Sequence, residues 1–214
     1  MDKLFKGALQ FREQSFEKIK DLFESLHDEQ KPHTLFIGCS DSRVVPELIT
    51  KTYPGELFVV RNIANIVPHY RVAAEYAATT SAIEYAVNAL DVDNIVVCGH
   101  SNCGGCNAIY FDEHELKQLP NVAHWLEQIQ GVKNEVQFRY PNVDEEHRSW
   151  MTEQTNIVRQ MSNLLSYPYI AAKYEKGEIN IYGWYYVISK GEVYNFNKET
   201  GAFELIGETT PAED

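Results

Sequence analysis

Apolar residues near the start of the chain recur at helical spacing: Leu4, Ala8, Phe11, Ile19, Leu22, Phe23 and Leu26. Residues three and four apart share a helix face, so this stripe predicts an amphipathic helix. Its register slips near Ser15, where Phe16 stands one position out of phase, and Gln30-Lys31-Pro32 ends it. The pattern then changes character. Residues 35–37, 57–60 and 95–97 are short unbroken apolar runs, the signature of strands buried on both faces. Between the last two, residues 71–90 return to helical spacing, with Val72, Tyr76, Ile83, Val87 and Leu90 along one side. The glycines after Cys103 open another helix, and residues 121–138 and 148–165 read as two more. Residues 179–188 and 192–196, joined around Lys190-Gly191, read as a hairpin.

Strand and helix in alternation predict an α/β fold with a central, mostly parallel β-sheet flanked by helices. An N-terminal helical arm over residues 1–28 and a C-terminal helical and hairpin region complete it. No repeat, low-complexity tract or linker divides the chain, so residues 1–214 are expected to form a single domain. The polar tail after Gly207 is expected to fray.

Ligands of such sheets bind at the carboxyl ends of the strands, and the candidate chemistry stands there. Cys39 leaves the first run in GCSDSR; His100 and Cys103 leave the third in CGHSNCGG. Two thiolates and an imidazole suit a borderline-soft, four-coordinate ion, most often zinc. Structural zinc sites usually have four protein ligands, whereas catalytic ones use three and keep a place open. Asp41 follows close behind Cys39 and can bind the metal or hold a water on it. Arg43 can take that carboxylate in a bidentate pair. Gly104 and Gly105 let the backbone approach a metal-bound oxygen, with helix N-terminal amides facing an anion. Cys103-x-x-Cys106 also admits a thioredoxin-like redox reading, which leaves His100, Asp41 and Arg43 unexplained. Cys98 and Cys106 read as packed core.

Composition narrows the partners. A formal net charge of -12 over 214 residues argues against nucleic acid and anionic membrane, which both need a basic face. No run approaches the ~20 apolar residues of a membrane span. The segment MDKLFKGALQFREQ lacks an apolar signal core, and three cysteines crowded at 98, 103 and 106 suit a metal in a reducing compartment better than a disulfide framework. A cytoplasmic protein is expected.

The pattern C-x-D-x-R, followed about sixty residues later by H-x-x-C, resembles that of the β-class carbonic anhydrases. The likeness continues through PGELFVVRNIANIVP, SAIEYAV and NIVVCGHSNCGG, and more loosely IYGWYYVI. It implies reversible hydration of carbon dioxide to bicarbonate by a zinc-bound hydroxide that Asp41 and Arg43 orient, with one Zn2+ per chain on Cys39, His100 and Cys103. Asp41, freed from Arg43, would ligate the metal itself. The resemblance further implies a substrate pocket of Gln30, Phe58, Ile63 and Tyr85 beside Gly104. Gln30 would reach the site of a neighbouring subunit, in a homodimer or a dimer of dimers (a homotetramer) that the N-terminal arm embraces. Phe36 and Val44-Val45-Pro46 stand where one branch has a tryptophan and Val-Pro-Ala lining a non-catalytic bicarbonate pocket, so the chain resembles the plant-type, non-allosteric branch. Carbon disulfide and carbonyl sulfide hydrolases resemble the same family, and these motifs leave them open.

Overall fold

The computed structural model describes residues 2–72 and 77–207. Six strands form its sheet: β1 Thr34–Cys39, β2 Leu57–Asn62, β3 Asn94–His100, β4 Asn180–Val187, β5 Glu192–Asn197 and β6 Ala202–Leu205. Their order is β2-β1-β3-β4-β5-β6. β2, β1, β3 and β4 run parallel, and β5 and β6 are added antiparallel. The expected mostly parallel sheet is therefore present. The hairpin pairs as read, but β6 extends it; four residues are too few for alternation to stand out in a sequence.

Both faces of the central strands are covered, which is why their sequences are unbroken apolar runs. Leu35, Ile37, Ile95 and Val97 pack with Ile83 and Val87 of helix Ala78–Asn88 and with Ile157, Met161 and Leu164 of helix Glu145–Leu164. Phe36, Val96 and Cys98 face the other way, beside Val59, Trp184 and Tyr186. The long helix sits close on the sheet because two glycines make its seat. A β-carbon on Gly99 would stand 2.7 Å from Ile157 Cγ1, and one on Gly183 would strike Met161 and Ile157.

Two helical expectations change. The helix read over 71–90 is regular only from Ala78 to Asn88; Val72 is 89% exposed, and Tyr76 lies outside the described residues. The backbone before it is held by tertiary partners instead. Val67 N–H donates to Gln160 Oε1 (2.9 Å), Asn163 Nδ2 and Tyr167 Oη donate to the carbonyls of Val67 (2.9 Å) and Pro68 (2.8 Å), and Tyr70 N–H donates to Ser166 Oγ (2.9 Å). The N-terminal stripe is not one helix. Asp2–Gln10 and Lys20–Ser25 are α-helical, joined by a π turn at Phe11–Ser15 and a 3-10 turn at Phe16–Lys18, where the register slips. None of its residues is buried in this chain, and Leu4 and Phe5 stand 76% and 67% exposed. The tail beyond Gly207 lies outside the described residues.

Candidate metal centre

In the parallel register Gly38 faces Cys98, so β1 and β3 end side by side and their exit turns meet. Cys39, His100 and Cys103 converge there, all buried, with ligand atoms within 4.8 Å of one another. The two sulfurs are 3.9 Å apart; sulfurs each about 2.3 Å from a tetrahedral zinc would stand ~3.8 Å apart. His100 Nδ1 lies 3.0 Å from the Ser101 carbonyl oxygen. A carbonyl only accepts, so Nδ1 carries the proton and Nε2 presents its lone pair to the cluster. Nε2 is buried without a hydrogen-bond partner, a cost that a coordinated cation would remove. The thiol of Cys39 is pushed up to about 12, first by the hydrogen bond with Cys103 and then by burial. Cys103 is pushed higher still, chiefly by the Cys106 thiol. Packed sulfurs resist ionising without a cation, and a bound metal reverses that because it takes thiolates. The residues present fit a zinc ion.

Asp41 stands at the lip of this cluster. Arg43 donates to its Oδ1 from both the backbone N–H and Nε, each at 2.9 Å, and to its Oδ2 from Nη2 at 2.7 Å. These hydrogen bonds hold the carboxyl well below the usual carboxylate range. Oδ2 is 3.8 Å from His100 Nε2, so Asp41 adjoins the ligand group while turned toward arginine. Arg61 fixes the turn beneath, donating from Nε to the Cys39 carbonyl (3.0 Å) and from Nη2 to that of Asp41 (2.6 Å). Across the cleft, Asn102 has φ 54°, a left-handed conformation that asparagine tolerates, and its carbonyl accepts from Arg43 Nη2 at 3.2 Å.

The expected pocket residues divide into two groups. Ile63 and Gly104 lie on the metal side. A β-carbon on Gly105 would stand 2.8 Å from Ile63 Cγ2 and 3.0 Å from Ala64 N, so the loop after β2 presses on helix Gly104–Ala108. It is Gly105, not Gly104, that must lack a side chain for this contact; the space beside Gly104 is open. Ala64 and Asn65 hold φ 62° and 44°, strained for residues with a β-carbon. Trp125 Nε1 on the Ile63 carbonyl and Asn156 Nδ2 on that of Ala64, both at 2.9 Å, keep them there. Gln30, Phe58 and Tyr85 lie elsewhere. Phe58 pairs with Leu35, about four residues or ~13 Å of strand from Cys39, and its ring packs with Tyr85 at 6.0 Å between centroids. Gln30 is exposed ahead of β1, at this same amino edge.

Sequence reading missed the anchoring role of Arg61, Trp125 and a buried polar stripe on helix Glu145–Leu164. Glu153, Asn156, Gln160 and Asn163 are all buried. Asn156, Gln160 and Asn163 bond the backbone of residues 64–67. Glu153 Oε1 accepts the Cys103 N–H at 2.8 Å, and its Oε2 accepts from Tyr185 Oη at 2.8 Å. Burial pushes its carboxyl up. The signal was available: polar residues at spacings of three and four share the helix face of Ile157, Met161 and Leu164, and polar groups on such a face need partners.

Fold and cluster define an α/β protein with a mixed sulfur and nitrogen site, suited to a metal ion, at the carboxyl edge of a parallel sheet. A sequence model of the family described as carbonic anhydrase matches residues 34–193. The carbonic anhydrase of Helicobacter pylori is 46% identical over 211 residues, 97% of this chain and 95% of that protein. The solved β-carbonic anhydrase CcaA superposes with a TM-score of 0.92 at 38% identity, covering 96% of this chain and 98% of the other. One of two tetrameric β-carbonic anhydrases from Sordaria macrospora gives a TM-score of 0.80 at 29% identity, over 92% and 96%. The chain belongs to the carbonic anhydrase family, in its β class, and is an enzyme.

Proposed function

We propose that this chain catalyses the reversible hydration of carbon dioxide to bicarbonate and a proton, with one zinc ion per chain held by Cys39, His100 and Cys103. One observation carries the proposal: an ionised Asp41, gripped by Arg43, adjoins a three-ligand cluster at 3.8 Å from His100 Nε2. Zinc in that position supplies Lewis acidity, which makes water a nucleophile near neutral pH. An ionised Asp41 can only accept. The attacking oxygen would therefore donate a hydrogen bond to Asp41 while keeping its proton, which leaves a lone pair turned toward carbon. Arg43 keeps Asp41 charged and away from the ligand position; without Arg43, Asp41 would be free to ligate the metal. Ile63 and the open space at Gly104 offer room for a small apolar substrate.

Gln30, Phe58 and Tyr85, at the far edge of the sheet in this chain, would close the pocket of a second copy. The exposed apolar side of the N-terminal arm and the tetrameric Sordaria enzymes support self-association as a homodimer or a dimer of dimers. The same reading takes residues 1–214 as one domain. Among the described residues no helix is long and apolar enough to cross a membrane; four free, buried cysteines support a reducing, cytoplasmic setting.

The plant-type branch is part of the proposal. Phe36 has no N–H to offer an anion and is buried edge-on to Trp184, with ring centroids 6.3 Å apart. Arg61, which the resemblance matches to an arginine of the other branch's bicarbonate pocket, is already spent on the carbonyls of Cys39 and Asp41. Kinetics should be hyperbolic; steep cooperative inhibition by bicarbonate would contradict this branch. The primary test is a stopped-flow indicator assay of carbon dioxide hydration before and after chelation. Zinc-dependent hydration is expected, and a zinc-loaded protein with no hydration above buffer would overturn the proposal.

A further inference from the structure

We propose that Glu153 is a positioning residue of the metal centre: its carboxylate sets the backbone of Cys103 so that the thiol meets Cys39 and His100. The inference rests on the zinc reading above. Glu153 lies fifty positions from Cys103 in sequence and is 2% exposed. A carboxylate is costly to bury and persists where donors converge on it. Here the two oxygens do different jobs. Oε1 accepts the N–H of Cys103, and Oε2 accepts the Tyr185 hydroxyl, each at 2.8 Å. Ser149 Oγ, 2.7 Å from Asn107 Oδ1 and 3.2 Å from Glu153 Oε1, shares its single proton between them.

One anchor is a ligand itself, and the other lies on β4, the strand that pairs with the strand carrying His100. Cys103 immediately precedes helix Gly104–Ala108 as its capping position, with extended backbone (φ −74°, ψ 112°) and no side-chain cap. Its N–H direction fixes where the Cα–Cβ bond points. Tyr185 lies opposite Gly99 in the β3–β4 register, one residue before His100. A single carboxylate therefore ties the turn that supplies Cys103 to the strand alongside His100. Groups that orient metal ligands in this way typically change metal affinity 10–100-fold when replaced.

What positions Cys103 is the reach of the acceptor rather than its charge, and two variants separate these. Glu153→Gln keeps an acceptor oxygen at the same reach and turns its amide toward Tyr185 Oη, which can accept. Glu153→Asp keeps the charge but withdraws the oxygens by one methylene. Asn163→Ala is the control, since Asn163 is buried in the same helix but bonds Val67 and no candidate ligand. Zinc affinity would be read by competition with a chromophoric chelator, beside the melting temperature of the metal-free protein and the visible spectrum after cobalt substitution. Glu153→Gln should bind zinc within about threefold of wild type, and Glu153→Asp should lose roughly 10–100-fold with a shifted cobalt spectrum. Glu153→Asp binding as wild type, Glu153→Gln falling as far as Glu153→Asp, or Asn163→Ala losing as much affinity would each overturn the inference. Should Glu153→Asp fail to fold, Tyr185→Phe keeps the ring and removes the second anchor. It should lower zinc affinity several-fold, and an unchanged affinity and cobalt spectrum would overturn the inference. A wild-type protein that takes up no zinc would instead fail the metal reading, and this one with it.

Discussion

At the carboxyl edge of the sheet each side chain of the site is placed by another. Asp41 is bonded by Arg43, the turn at Cys39 by Arg61, His100 by the Ser101 carbonyl and Cys103 by Glu153. At the amino edge Phe58 and Tyr85 pack against each other, Tyr85 remains 50% exposed, and Gln30 is exposed ahead of β1. No described residue of the N-terminal arm nearby in sequence is fully buried. One edge is finished within the chain; the other leaves exposed apolar surface uncovered among the described residues. Reacting groups tolerate little misplacement and are fixed by short local bonds. A wall for a small apolar substrate needs only shape and dryness, which a second subunit can provide.

Variants at the two edges should therefore fail in different ways. Asp41→Asn should keep zinc but lower kcat roughly 100-fold or more, because the amide no longer acts only as an acceptor. Arg43→Ala should also inactivate, with zinc retained and Asp41 drawn to the metal. Zinc analysis beside stopped-flow kinetics checks both, and near wild-type rates would erase the distinction between the edges. At the amino edge, Phe58→Ala with Tyr85→Ala should lower kcat/KM by about tenfold, with zinc content untouched. Removing residues 1–26 should weaken dimers and activity together, as read by sedimentation and assay on one sample; a fully active monomer would contradict the shared pocket.

Smaller effects sharpen how the metal edge is supported. Gly99→Ala, which forces a β-carbon against Ile157 beside His100, should cost about 1–3 kcal/mol in denaturant unfolding. Asp144 caps the long helix, accepting the His147 N–H at 2.9 Å, and that bond lowers its pKa from the ordinary 3.8. A carboxyl lowered on folding stabilises fully above its unfolded pKa and loses that contribution as pH falls through the folded one. Asp144→Ala should thus lower Tm by about 2 °C at neutral pH, and the difference should close in strong acid.

The carboxyl edge was legible in the sequence because its chemistry is local. Cys39, Asp41 and Arg43 fall in one hexapeptide and His100 and Cys103 in another, each at the end of a buried run. Glu153 and Arg61 were not legible in the same way, since their bonds to Cys103 and Cys39 join residues 50 and 22 positions apart. The start of the helix at Ala78 was hidden for a similar reason: side chains of residues 160–167 take the backbone groups of 67–70, and periodicity does not register such bonds. Resemblance named Gln30, Phe58 and Tyr85, but only the register of β1 with β2 placed Phe58 at the far edge, with Tyr85 against its ring.

The proposed division of the site between two chains is most directly tested by complementation. A chain carrying Asp41→Asn has a silent metal edge and an intact amino edge; one carrying Gln30→Ala and Tyr85→Ala has the reverse. Each alone should be nearly inactive in carbon dioxide hydration. Unfolded together and reassembled, random pairing yields half mixed dimers, each with one competent site, so activity should rise to about a quarter of wild type. Activity no greater than the average of the two inactive parents would show that each chain completes its own pocket.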